Sequence, residues 1–131
     1  MSDWETYQGL VRMPDGRSAA DVRVSAYRSR NTSINRQEIR IVLPLWARQK
    51  LELDIGDRIL LRVNRTKRLA AIIKHPRGTV RLTTAGRSHC LRISGEPYGI
   101  RSSHSSCSVA AYVGSTGQLI IKLPEWFTEE A

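Results

Sequence analysis

Apolar residues recur at every second position in one short segment after another between Val22 and Leu123, the mark of strands with one face on a core. Val22 to Tyr27 alternates this way. Ile39 to Leu43 puts Ile39, Ile41 and Leu43 on one face and Arg40 on the other, and Ile59, Leu61 and Val63 oppose Arg58, Leu60 and Arg62. Leu69 to Ile73 is apolar at every position, which predicts a strand buried on both faces. Val80–Thr83 and Cys90–Ile93 predict a hairpin about Thr84–Arg87. Val109–Val113 and Leu119–Leu123 predict another about Gly114–Gly117, whose two glycines permit positive φ.

Helix signals are few. Pro44 to Leu51 opens on a proline, tolerated at a first helical position because no intrahelical N–H is lost there. Its Ala47 and Leu51 are four apart and can face the core with Leu43, leaving Arg48 and Gln49 outward. Pro124 to Glu130 repeats the device. Many short strands and two short helices predict a mostly β fold, a small barrel.

The chain also echoes itself. Val24-Ser25-Ala26-Tyr27, followed by Ile39 to Trp46, matches Val109-Ala110-Ala111-Tyr112, followed by Leu119 to Trp126. Shared tyrosine, Leu-Pro and tryptophan predict a repeat, with copies at about 22–51 and 109–130 of a single domain spanning 1–131, and a pseudo-twofold core. At equivalent places, Trp46 and Trp126, and Tyr27 and Tyr112, are expected to pack in the core or at an interface. Ser102 to Ser108 breaks the alternation and reads as a loop.

Charge narrows the picture. Lysine and arginine number 21 against 12 acidic residues, a net +9. The excess is confined to Arg28–Arg92, which carries net +12, while the flanks are weakly acidic. A basic centre of this kind suits a polyanion, either nucleic acid or an acidic protein surface. Arg28, Arg30, Arg36 and Arg40 lie on or beside one long turn, with Arg48 and Lys50 on the adjacent helix. Arg62, Arg65, Lys67, Arg68, Lys74, Arg77 and Arg81 form a second cluster about the turn Asn64–Lys67. Arginine forks suit phosphates and guanine edges. The expected division puts Arg28, Arg30, Arg65, Lys67 and Arg68 on phosphates and Arg36, Arg40 and Arg48 near base edges.

The stretch from Arg40 to Lys74 resembles the swapped-hairpin AbrB/MazE family of bacterial DNA-binding domains. Arg40-Ile41-Val42-Leu43-Pro44 matches the family's strand and proline. Ala47, Arg48 and Leu51 match its helix, Gly56-Asp57 its turn, and Arg58–Val63 with Leu69–Ile73 its hairpin. Glu52 stands where the family commonly has glycine. The likeness covers about 35 of 131 residues. It implies regulatory binding to double-stranded DNA, with Arg40 and Arg48, and less directly Arg36, touching the duplex. The family usually builds its barrel from two chains, so this chain is expected either as a monomer with a pseudo-dimeric core or as a homodimer. The other reading is a small inhibitor or adaptor docking on an acidic partner.

Other chemistries find less support. His89-Cys90 and His104-x-x-Cys107 supply zinc-type ligands without a standard spacing, so no metal or cofactor is expected. No nucleophile elbow, phosphate loop or paired acids are visible, so no enzyme is expected. No run of 18 apolar residues and no signal-peptide core occur, and the reading is a cytoplasmic protein without a membrane span.

Overall fold

A computed structural model describes residues 21–29, 37–94, 102–114 and 116–129. Nine strands and two short helices follow one another as β1 (Val22–Arg28), β2 (Gln37–Val42), α1 (Leu45–Lys50), β3 (Arg58–Asn64), β4 (Leu69–Lys74), β5 (Val80–Ala85), β6 (Ser88–Ser94), β7 (His104–Val109), β8 (Ala111–Val113), β9 (Leu119–Lys122) and α2 (Trp126–Glu129). All neighbouring strands are antiparallel, in the order β7-β1-β2-β6-β5-β3-β4-β9-β8. The two ends of that order, β7 and β8, are separated in the chain by Ala110 alone. The sheet therefore curls into a nearly closed barrel, the mostly β architecture that the alternation predicts.

One apolar cluster fills the interior. Val22, Val24, Ile39, Ile41, Ile59, Ile72, Leu82, Leu91, Leu119 and Ile121 are all inward and almost wholly buried. Each sits at an alternate position of its strand, so its neighbours in sequence point to the other face, where Cys90, next to Leu91, is buried as well. The ends are plugged by the helices. Ala47, Leu51 and Leu43 are buried as expected, and Phe127 does the same from α2. Pro44 proves to be the N-cap of α1, with ψ 166, rather than its first helical residue. The cap has no side-chain hydrogen bond. The helix is fixed instead by the apolar residues around it.

Three further expectations are corrected. Ser102–Ser108 is mostly strand, not loop: β7 pairs with β1 from Val22–Val109 to Ala26–His104, with a register shift between Val24 and Ala26. Backbone pairing holds it, because its side chains bury little. Leu69 to Ile73 is buried on one face only, at Ala70 and Ile72. Tyr27 is not packed in the core but is 52% exposed. Trp46 and Trp126 do pack against the core, partly buried.

The echo also shifts. Ala26 pairs with Ile39 in the first hairpin, whereas Ala111 pairs with Ile121 in the second. If the two hairpins are matched at Leu43-Pro44 and Leu123-Pro124, Tyr112 takes the place of Ser25, not of Tyr27. A two-residue slip leaves every side chain on its own face, so sequence alternation could not detect it.

Candidate nucleic-acid interface

The outward positions of four neighbouring strands carry arginine. Arg40 lies between buried Ile39 and Ile41, and Arg92 between buried Leu91 and Ile93, so both project from the barrel. They are directly opposite one another on β2 and β6. Arg58 and Arg81 are likewise opposite on β3 and β5. The paired register of β5 and β6 ends at Leu82–Leu91, and Arg81 and Arg92 are the next residue of each strand beyond it, on the outward face. The result is a row, Arg40–Arg92–Arg81–Arg58, running across the strands. Strands lie about 4.8 Å apart, so the row spans about 15 Å at its base. Arg58, Arg81 and Arg92 are exposed and Arg40 is half-buried.

Like charges facing each other across strands destabilise a sheet. Little offsets them here. Among the described residues, Glu38 makes an acidic contact to the row: its Oε2 accepts from Arg40 Nη2 at 3.5 Å, long for a charge-assisted bond. Arg40 Nε is buried with no hydrogen-bond partner. Beside it a cleft of about 400 Å³ is lined by Ser25, Ala26, Tyr27, Glu38, Arg40 and Arg92.

The basic residues singled out in the sequence do not converge on one edge. Arg40 belongs to the row. Arg48 is turned back on the strand–helix junction, its Nε donating to Leu43 O at 3.3 Å. Arg28 ends β1, where its backbone N–H donates to Ser103 Oγ at 3.0 Å. Arg65, Lys67 and Arg68 form the β3–β4 turn, closed by Lys67 N–H on Asn64 Oδ1 at 3.0 Å. That turn is docked by Leu123 N–H, which donates to Arg68 O at 2.8 Å. His104, next to Ser103, stacks on Trp126 of α2 with ring centroids 4.4 Å apart. Arg28 and the Arg65–Arg68 turn therefore flank α2, away from Arg48. Arg30 and Arg36 lie outside the described residues.

Sequence reasoning named Arg40 but missed Arg92 and did not join Arg58 and Arg81 to it. The alternation marks all four as outward. Only the order of strands makes them neighbours, and that order places β6 and β5 between β2 and β3.

The zinc-type residues are otherwise engaged. Cys90 is buried beside Thr83 Oγ1 at 3.8 Å, and Cys107 Sγ lies 3.6 Å from Val24 O. Among the described residues no three histidine, cysteine or acidic side chains gather closely enough to hold a metal, and no helix is long and apolar enough to cross a membrane. Comparison with family models, curated proteins and solved structures finds no match to this chain.

Proposed function

We propose that this protein binds double-stranded DNA as a regulator, meeting the duplex with the arginine face of β2, β6, β5 and β3. The observation that carries the reading is the row Arg40–Arg92–Arg81–Arg58, four arginines at outward positions of four neighbouring strands, with Glu38 the acidic side chain in contact with it among the described residues. A duplex carries one negative charge per about 1.7 Å with both strands counted, so about 15 Å of it carries roughly nine phosphates, and those on the facing side can meet the row. Arginine forks bind phosphates in pairs of hydrogen bonds, which fixes the orientation of the duplex. Arg28, Arg65, Lys67 and Arg68, at the α2 end, extend the basic surface beyond the row.

The strand order favours the AbrB/MazE-like, swapped-hairpin reading. Hairpin β3–β4 pairs through β4 with β9, and hairpin β5–β6 pairs through β6 with β2. Each hairpin thus lies against the strand of the other half. The two Leu-Pro junctions are held alike, Leu43 N–H donating to His89 O at 2.9 Å and Leu123 N–H to Arg68 O at 2.8 Å. This parallel supports a pseudo-twofold core within one chain, in which the second half carries its hairpin before its strand–helix unit.

The test is a fluorescence-anisotropy titration of duplex DNA with the wild-type chain and with an Arg58→Gln/Arg81→Gln/Arg92→Gln variant. All three residues are exposed, so the fold should persist. The expected result is a loss of at least about tenfold in affinity at one salt concentration, since each phosphate contact is a charge-assisted bond. Unchanged affinity would reject the arginine face as the DNA surface. Binding of an acidic polypeptide in place of DNA would favour the adaptor reading.

A further inference from the structure

We propose that the cleft between Arg40 and Arg92 is a phosphate pocket, a defined site for one phosphate group on the barrel's outer face. The proposal rests on the DNA reading only for the source of the phosphate; the pocket's chemistry stands on its own residues.

Four observations converge there. Arg40 and Arg92 face each other directly, an arrangement that repels unless an anion lies between them. Arg40 Nε is a buried donor without a partner, and an unmade hydrogen bond of this kind is costly to keep. A modest swing of the guanidinium toward the cleft would give that N–H an acceptor. The cleft, about 400 Å³, has room for a phosphate and a flanking group. Its wall is finished by Ser25, opposite Arg40 on β1, and by the half-exposed ring of Tyr27. The hydroxyl of Ser25 is a donor for a phosphate oxygen, and the Tyr27 ring is a platform for a sugar or base.

Charge selects the ligand further. Two guanidinium groups and Glu38 leave the pocket at net +1. A phosphodiester, with one negative charge, balances it. A phosphate monoester, which carries −1.5 to −2 near pH 7, overbalances it and meets the Glu38 carboxylate. A backbone phosphate is therefore preferred over a free monoester. Removing the Glu38 charge should reverse that preference.

The Nε–H resonances of the arginines report on this directly by NMR. Titration with dimethyl phosphate, and separately with inorganic phosphate, should shift the Arg40 and Arg92 signals saturably, with dimethyl phosphate the tighter ligand. Exposed Arg77 should move little. Arg92→Gln should weaken binding at least about tenfold, and Glu38→Gln should tighten inorganic phosphate. Shifts at Arg40 and Arg92 that fail to saturate, or that Arg77 matches, would overturn the pocket, as would an Arg92→Gln variant that titrates like wild type. Duplex DNA is the second arm. If phosphate saturates the pocket but duplex does not bind, the DNA reading fails and the pocket stands. If duplex binds while the Arg40 and Arg92 signals stay still with every ligand, the pocket fails, and the duplex is held by a surface that leaves out the β2–β6 end of the arginine row.

Discussion

Glu52 adopts φ 55, the left-handed region that side chains enter only at a cost. It follows the C-cap Leu51, the position where a helix usually hands over to glycine. Its side chain is exposed, and the neighbouring contacts use its backbone: Glu52 N–H donates to Gln49 O, and Lys74 Nζ donates to Glu52 O at 3.0 Å. Glu52→Gly keeps both and removes the strain. It should raise stability by about 1 kcal/mol, offset in part by the flexibility glycine adds to the unfolded chain, and raise the thermal midpoint by a few degrees. Asp57 closes the turn that follows, its backbone N–H donating to Asp54 O at 3.0 Å. The backbone N–H of Asp54 donates to its carboxylate at 2.8 Å, and Lys74 lies 3.3 Å away, so both hold its pKa below the ordinary 3.8. A carboxylate lowered in this way stabilises the fold fully above its unfolded pKa and loses that contribution as pH falls through the folded one. Asp57→Asn should therefore lower the thermal midpoint at pH 7 while leaving it close to wild type below pH 3. An equal deficit at both pH values would show that the Asn change acts by packing rather than charge. Gly56 before it has φ 90, so glycine at the Gly56-Asp57 turn is a conformational need that two letters of sequence express.

At the scale of elements, alternation found nearly every strand and misjudged what surrounds them. β1, β2, β3, β5, β6 and β9 stand where inward apolar residues recur, because a barrel wall buries one face of each strand. β7 escaped because its sequence, His104 to Val109, offers only Cys107 and Val109 as apolar residues, set among three exposed serines. Its strand comes from pairing with β1, a long-range contact that local sequence does not express. The helices show the reverse. α1 and α2 have six and four residues, too short to persist alone, so their side chains hold them. For α2 that anchor is Phe127, 1% exposed. Phe127→Ala should lower unfolding free energy by about 3–5 kcal/mol in a denaturant titration, the cost of emptying a buried aromatic site. A loss under 1 kcal/mol would mean that α2 is a lid rather than a plug.

For the whole molecule, charge was the clearest signal in the sequence and its arrangement the least. A net +12 between Arg28 and Arg92 said that a polyanion was the partner to consider. It could not say that Arg40, Arg92, Arg81 and Arg58 share one face, because that depends on two hairpins interleaving between β2 and β9. The expected edge, Arg28 to Arg48, is instead divided: Arg40 on the barrel face, Arg48 folded onto Leu43, and Arg28 beside α2 with the Arg65–Arg68 turn. The four-arginine face is now the central claim, and its most direct test is the salt dependence of duplex binding. Each phosphate neutralised releases counterions, so a plot of log affinity against log salt concentration falls with a slope of about −0.9 per contact. If the row and its pocket meet the duplex, the wild-type slope should be about −3.5 or steeper, and the Arg58→Gln/Arg81→Gln/Arg92→Gln variant should be shallower by about 3. A wild-type slope near zero, or a variant slope equal to it, would contradict the account.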